Sequence, residues 1–203
     1  MRIVMTRHGH VEGIMPERFR GRADVPLTER GMGEARMVAG RIARDWMPAA
    51  IYSSPLKRCM STAEQIAQAC RATIVPLEDL NDLDYGDLQW KPFEEAKREY
   101  AELFQTWFAA PQQVRFPNGE SLQDLGARTS NVLRLLRERH GDDVVVLVGH
   151  DSVNRAILLQ LLDQPLSAYW RLAQSPCSIN EIVMSGRLTR VESVNDTSHL
   201  RGA

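Results

Sequence analysis

The chain has 203 residues, 43% apolar and 25% charged, proportions that exclude collagen-like and disordered readings and leave enough length for one well-buried core. Lys and Arg total 25 against 26 Asp and Glu, a net charge of −1, so no global positive field draws the protein to nucleic acid or anionic lipid. The longest apolar run, Val144–Val148, is far below the ~20 residues that span a bilayer, and Met1–Arg7 lacks a signal-peptide core; a cytoplasmic protein without membrane or nucleic-acid partners is expected.

Arg2–Thr6 reads as a buried strand, followed by a Gly-, Pro- and Arg-rich loop over His10–Pro26. Thr28 is the N-cap of a helix whose stripe runs Ala35, Val38, Ala39, Ile42, Trp46, with Gly31 a mild cost inside it. Ala50–Tyr52 is a second strand. Ser54 as N-cap and Pro55 at the first helical position open the next helix, which carries Thr62, Ile66 and Ala69. Ile74–Val75 is a third strand, and Leu77–Pro92 is irregular. Phe93–Ala109 and Leu122–Arg139 have helical period, the second capped by Ser121. Asp143–Val148 is an apolar strand suited to the centre of a sheet, and a helix over Ser152–Leu162 follows. Ile179–Met184 and Leu188–Val194 flank Ser185-Gly186-Arg187 as a hairpin, with Ile179–Met184 an edge strand open to pairing.

Alternating strands and helices predict an α/β fold, a three-layer α/β/α sandwich around a mostly parallel sheet. Cys59 and Cys70 lie too far apart along one helix to bridge, and with Cys177 they form no CxxC pair, so neither a disulfide framework nor a zinc site is expected. In open parallel sheets ligands bind beyond the carboxyl ends of the strands. Arg7-His8-Gly9 stands after the first strand and Gly149-His150-Asp151 after the apolar one. Ser53-Ser54-Pro55-Leu56-Lys57-Arg58-Cys59 follows the second. Two arginines, two histidines and a helix N-terminus meeting there would make an oxyanion site.

These blocks, with Arg18-Phe19-Arg20-Gly21, Pro26-Leu27-Thr28-Glu29-Arg30-Gly31, Thr62-Ala63 and Leu80-Asn81-Asp82-Leu83-Asp84-Tyr85-Gly86, resemble in order the histidine phosphatase superfamily, in its cofactor-dependent phosphoglycerate mutase-like branch. The whole chain, 1–203, is read as one such domain, with motifs in 2–162, a C-terminal hairpin over 178–195 and a frayed tail over 196–203. The resemblance implies that His8 attacks a small phosphorylated substrate and forms a phosphohistidine. Arg7, Arg58 and His150 then hold the phosphoryl oxygens. A carboxylic acid before Gly86 protonates the leaving oxygen and later activates water. No metal or cofactor is required, because arginines supply the cationic charge.

Two departures from the family pattern matter. Its acid is usually Glu, where this chain has Asp82; Asp is one methylene shorter, so either the loop moves inward or Asp84 serves instead. The mutases' Trp-Asn pair is replaced by Gly13-Ile14, which removes a polar phosphate contact, and Trp90 stands where a glycine is common. The reading is a phosphomonoester hydrolase. The alternatives are a phosphoglycerate mutase, against which Ile14 and the short Pro111–Glu120 segment argue, and a non-catalytic phosphate-binding module. Among neighbouring residues, the Ser152 N–H is placed to meet phosphate and Asp151 and Asn154 to cap their helix. His8 and His10 form a His-x-His pair without a ligand set for a metal. Glu12, Arg18, Arg20 and Arg22 read as solvated loop charges, with a substrate contact by one of them the alternative, Phe104, Trp107 and Phe108 as core, and Cys59 as a packed thiol.

Overall fold

A computed structural model describes residues 1–186 and 188–201. Six strands, β1 (Arg2–Arg7), β2 (Ala50–Ser53), β3 (Ile74–Pro76), β4 (Val144–Gly149), β5 (Ile179–Ser185) and β6 (Leu188–Asp196), form one sheet in the order β3-β2-β4-β1-β5-β6. The first four are mutually parallel, while β5 runs antiparallel to β1 and β6 antiparallel to β5. The central strands are apolar on both faces because both are covered. Alternate side chains go to opposite layers: Ile3, Met5, Val145 and Leu147 join one core cluster, Val4, Val146 and Val148 the other. Helices α1 (Glu29–Asp45) and α2 (Lys57–Cys70) cover the second face. Helices α4 (Ala101–Ala109), α5 (Leu122–Arg139) and α6 (Asp151–Leu161) pack on the first, with α3 (Phe93–Glu99) preceding them. This is the three-layer α/β/α sandwich that the alternating pattern predicts.

Thr28 caps α1 by accepting from the Gly31 N–H at 3.1 Å. Ser121 and Asp124 form a reciprocal capping box on α5, satisfying donors that a helix leaves open. Four expectations are corrected. The Phe93–Ala109 helix is two helices, α3 and α4, broken at Tyr100 (φ −122°, ψ 46°). Helix α2 begins at Lys57 with Leu56 as its N-cap, so Ser54 lies outside it and has another task. Ile179–Met184 is no edge strand: β5 is paired on both sides, by β1 and β6, and the edge is β6. The tail is anchored over 196–201, where Ser198–Leu200 form a helical turn and His199 Nε2 donates to the Cys177 carbonyl at 3.0 Å. Of the hairpin turn, Arg187 lies outside the described residues, as do 202–203 of the tail. Among the described residues no helix is long and apolar enough to cross a membrane.

Candidate active site

Strand register alone assembles the site. Arg7 pairs with Gly149 across β1 and β4, and Ser53 with Val148 across β2 and β4, so His8, His150 and Ser54 leave the sheet side by side. His8 and His150 are 1% and 0% exposed, with ring centroids 5.2 Å apart, edge to face. Gly9 brings the loop after β1 hard against α1: a Cβ there would lie 2.4 Å from the Gly31 carbonyl oxygen, and one on Gly31 would lie 2.0 Å from that of His10. Gly31 is therefore a contact requirement and not merely a helical cost.

The His8 Nδ1 lies 2.7 Å from the Gly9 carbonyl. A carbonyl only accepts, so Nδ1 carries the proton and Nε2 keeps its lone pair. Burial, then the charges of Arg58, His150 and Arg7, hold His8 well below the usual imidazole pKa; it is neutral at pH 7. Burial followed by Arg58, Arg7, Arg128 and Arg20 depresses His150 likewise. His150 Nδ1 accepts from Arg58 Nε at 3.2 Å, so its Nε2–H donates to Ser54 Oγ at 3.0 Å, and Ser54 Oγ donates to Asn81 Oδ1 at 2.9 Å. Ser54, read from sequence as a helix cap, instead orients a site histidine.

Arg58 is fully buried and also donates to the carbonyls of Ala23 and Gly21, each at 2.6 Å. Arg7 donates from Nη1 to the Gln174 carbonyl at 2.6 Å, while its buried Nε has no partner among the described residues, an open donor next to His8 in the chain. The two aspartates separate sharply. Asp82 is 7% exposed; its Oδ2 lies 3.4 Å from Arg58 Nη2 and 3.7 Å from His150 Nδ1, and its Oδ1 accepts from the Leu83 N–H and from Ser152 Oγ. Asp84 turns away, its Oδ1 accepting from the Gly86 N–H at 2.9 Å and its Oδ2 facing Arg22 at 3.8 Å. Ser152 thus acts through its hydroxyl on Asp82. Asp151 and Asn154 are not caps: the N-cap of α6 is His150, Asp151 faces Arg155 at 3.1 Å, and Asn154 reaches Gln174.

A cavity of about 130 Å³ opens beside Asp82, lined among others by Arg18, Arg20, Tyr85, Phe108, Asp151 and Trp170. Phe104 and Trp107 are core as expected, but Phe108 is 45% exposed and stacks on Trp170 at this wall. Arg18 and Arg20 likewise line the mouth instead of standing free in solvent. Trp90 adopts φ +64°, the left-handed region that glycine occupies without penalty, and the Arg18 guanidinium lies 5.3 Å over its ring. His10 Nδ1 meets Thr28 Oγ1 at 3.0 Å, and among the described residues no three His, Cys, Asp or Glu side chains gather as a metal site needs. The Cys59 thiol is pushed up to about 12, chiefly by burial, and is no nucleophile. Residues that the sequence reading missed are Ser54, Asn81, Gln174, and the pair Arg128 and Glu120 that grips the loop bearing Asp82.

A neutral imidazole among buried cations at the carboxyl edge of a parallel sheet is an arrangement with the charge and donors that an oxyanion calls for. The chain belongs to the histidine phosphatase superfamily (branch 1), whose profile matches residues 3–197. It is 32% identical over 200 residues to phosphoserine phosphatase 1 of Hydrogenobacter thermophilus, covering 98% of this chain and 94% of that one. It is 31% identical over 207 residues to the probable phosphoglycerate mutase GpmB of Yersinia pestis, covering 98% and 95%. Among solved structures, YhfR of Bacillus stearothermophilus superimposes with a TM-score of 0.92 at 27% identity, covering 98% of both chains.

Proposed function

We propose that the chain is a metal-independent phosphomonoester hydrolase acting on small phosphorylated metabolites through a phosphohistidine on His8. The observation that carries this is the His8 tautomer: Nδ1 is committed to the Gly9 carbonyl, and a neutral Nε2 lies among Arg7, Arg58 and His150. In the first step the Nε2 lone pair attacks phosphorus, the bond to the leaving oxygen breaks, and that oxygen takes a proton from the Asp82 carboxyl. In the second, water attacks phosphorus, gives its proton to the Asp82 carboxylate, and the P–N electrons return to Nε2. Phosphoryl transfer needs positioning and charge stabilisation more than covalent assistance. The open Arg7 Nε and the Arg58 guanidinium are the donors for the phosphoryl oxygens, and His150, its Nε2–H committed to Ser54 Oγ, holds Arg58 in place through Nδ1; arginines thus supply the charge that a metal would. The H. thermophilus relative puts phosphoserine at the head of the substrate panel. The three free cysteines suit the reducing cytoplasm.

The Yersinia relative favours a second reading, transfer of the phosphoryl group within phosphoglycerate. Product analysis separates the two, free phosphate in one case and a relocated phosphoryl group in the other. The decisive experiment is a phosphate-release screen with His8→Ala as blank, together with rapid quenching. Alkali-quenched wild type keeps a phosphohistidine that acid quenching destroys, because the P–N bond is acid-labile. Full turnover by His8→Ala would overturn the covalent route in favour of another mechanism, and no phosphate release or transfer by the wild type would leave a phosphate-binding module.

A further inference from the structure

We infer that Arg128, held by Glu120, is a positioning residue that sets the general acid Asp82 in place; this rests on the hydrolytic reading above. Arg128 projects from α5 and is 12% exposed at its side chain. A guanidinium has five N–H donors in a rigid fork, and all five are spent here. Nη1 donates to the carbonyls of Asp79 at 2.9 Å and Asn81 at 2.5 Å. Nη2 donates to the carbonyl of Asp82 itself at 3.0 Å. Nε and the remaining Nη2–H close a two-pronged pair with the Glu120 carboxylate, both at 3.0 Å. Glu120 in turn accepts from the Asp84 N–H at 2.9 Å and from Arg22 Nη2 at 3.2 Å. One ion pair therefore fastens the backbone on both sides of the acid.

The clamp fixes how far Asp82 reaches. An aspartate side chain is short, so the backbone has to bring the carboxyl to the phosphate. Leu80 and Leu83 anchor this segment by burial, but Asn81 and Asp82 lie outside regular structure, and among the described residues their carbonyls have no partner besides Arg128. Helix α5 is a firm support, capped at Ser121 and buried along Leu125, Val132 and Leu136. Loosening the clamp lets Asp82 recede while Arg7, Arg58 and His150, held by β1, α2 and β4, stay where they are.

A positioning role through the acid makes a signature that a general structural role does not. Arg128→Ala and Arg128→Lys should lower kcat/KM, which reports the first step, ~10–10²-fold for an alkyl phosphate, since displacing an acid by ~1 Å costs that much. The kcat/KM of an aryl phosphate with a nitrophenolate leaving group, which departs without a proton, should be little affected. Inhibition by inorganic phosphate should hold, because its donors are untouched. Guanidinium ion should restore part of the alkyl rate in Arg128→Ala. Glu120→Gln should give a smaller loss of the same pattern. Asp82→Asn is run beside them: if it shows the leaving-group dependence and the folded Arg128 variants do not, the clamp is refuted and the acid stands. If Asp82→Asn shows none, the acid assignment itself falls. Equal losses in kcat/KM on both esters, or failure of all three clamp variants to fold, would overturn the inference, making Arg128 a determinant of the fold and not of the acid.

Discussion

Lowering the pH from 7.5 to 5 strains this molecule at the paired histidines before anywhere else in its active site. His8 and His150 are buried, their rings in edge contact, with Arg7 and Arg58 against them. Both are held well below the usual imidazole pKa, first by burial and then by those charges. In the unfolded chain each takes up a proton near pH 6.5. A folded-state pKa below the unfolded one favours the unfolded state as pH falls, so the stability contribution is complete above about 6.5 and declines beneath it. A ring that stayed neutral across the whole window would lose at most about 2 kcal/mol between pH 7.5 and 5, and the pair at most about 4 kcal/mol. Against a typical total of ~5–15 kcal/mol this is a large share. Asp24, Asp124 and Asp196 are depressed carboxylates, and their losses come below the ordinary carboxylate range, outside this window. His199 is also lowered by burial, with the same sign, but it is common to wild type and variant. Urea unfolding of wild type and of a His8→Asn/His150→Gln double variant, at half-unit steps from pH 5 to 7.5, isolates the pair. The difference in stability should shrink as pH falls. A flat difference would refute the claim that both rings are neutral in the folded protein.

Activity should survive EDTA, since the cations are arginines, and vanadate should inhibit as a mimic of the five-coordinate transition state; loss of turnover on chelation, restored by a divalent ion, would refute this. Ser54→Ala strands the His150 Nε2–H and the Asn81 Oδ1 in the interior, and should cost about 1–3 kcal/mol in urea unfolding as well as lowering kcat. Gly31→Ala drives a methyl into the His10 carbonyl and should destabilise by about 1–3 kcal/mol or more, as overpacking does, with the melting temperature as readout. Cys59, with its thiol pushed up to about 12, should resist iodoacetamide at pH 8 in the native protein, and mass spectrometry that finds it alkylated before unfolding would contradict the packing around His150.

Much of the fold was readable from local signals. The apolar run at Val144–Val148 marked a doubly covered strand, and Thr28 and Ser121 marked helix starts, because periodicity and capping act within one or two turns of chain. The ordered blocks carrying Arg7, His8, Arg58, Asp82 and His150 point to one site because each stands at or near the carboxyl end of a strand or in the loop after one. Local reading failed where a residue's nearest sequence neighbours were not its partners. Ser54 has the composition of a cap, yet its hydroxyl serves His150, 96 positions away. Asp82 and Asp84 are indistinguishable by spacing. Tertiary structure separates them, because the Asp84 carboxylate closes its own turn onto Gly86 while Asp82 faces Arg58. Ile179–Met184 looks like an edge until β6 is seen to cover it. Arg128 gives no sign at all in sequence: an arginine on a helix reads as solvated. Its partners are carbonyls 46 to 49 residues earlier, and main-chain acceptors are the same for every amino acid, so only the packing of α5 against that loop decides which of them it holds.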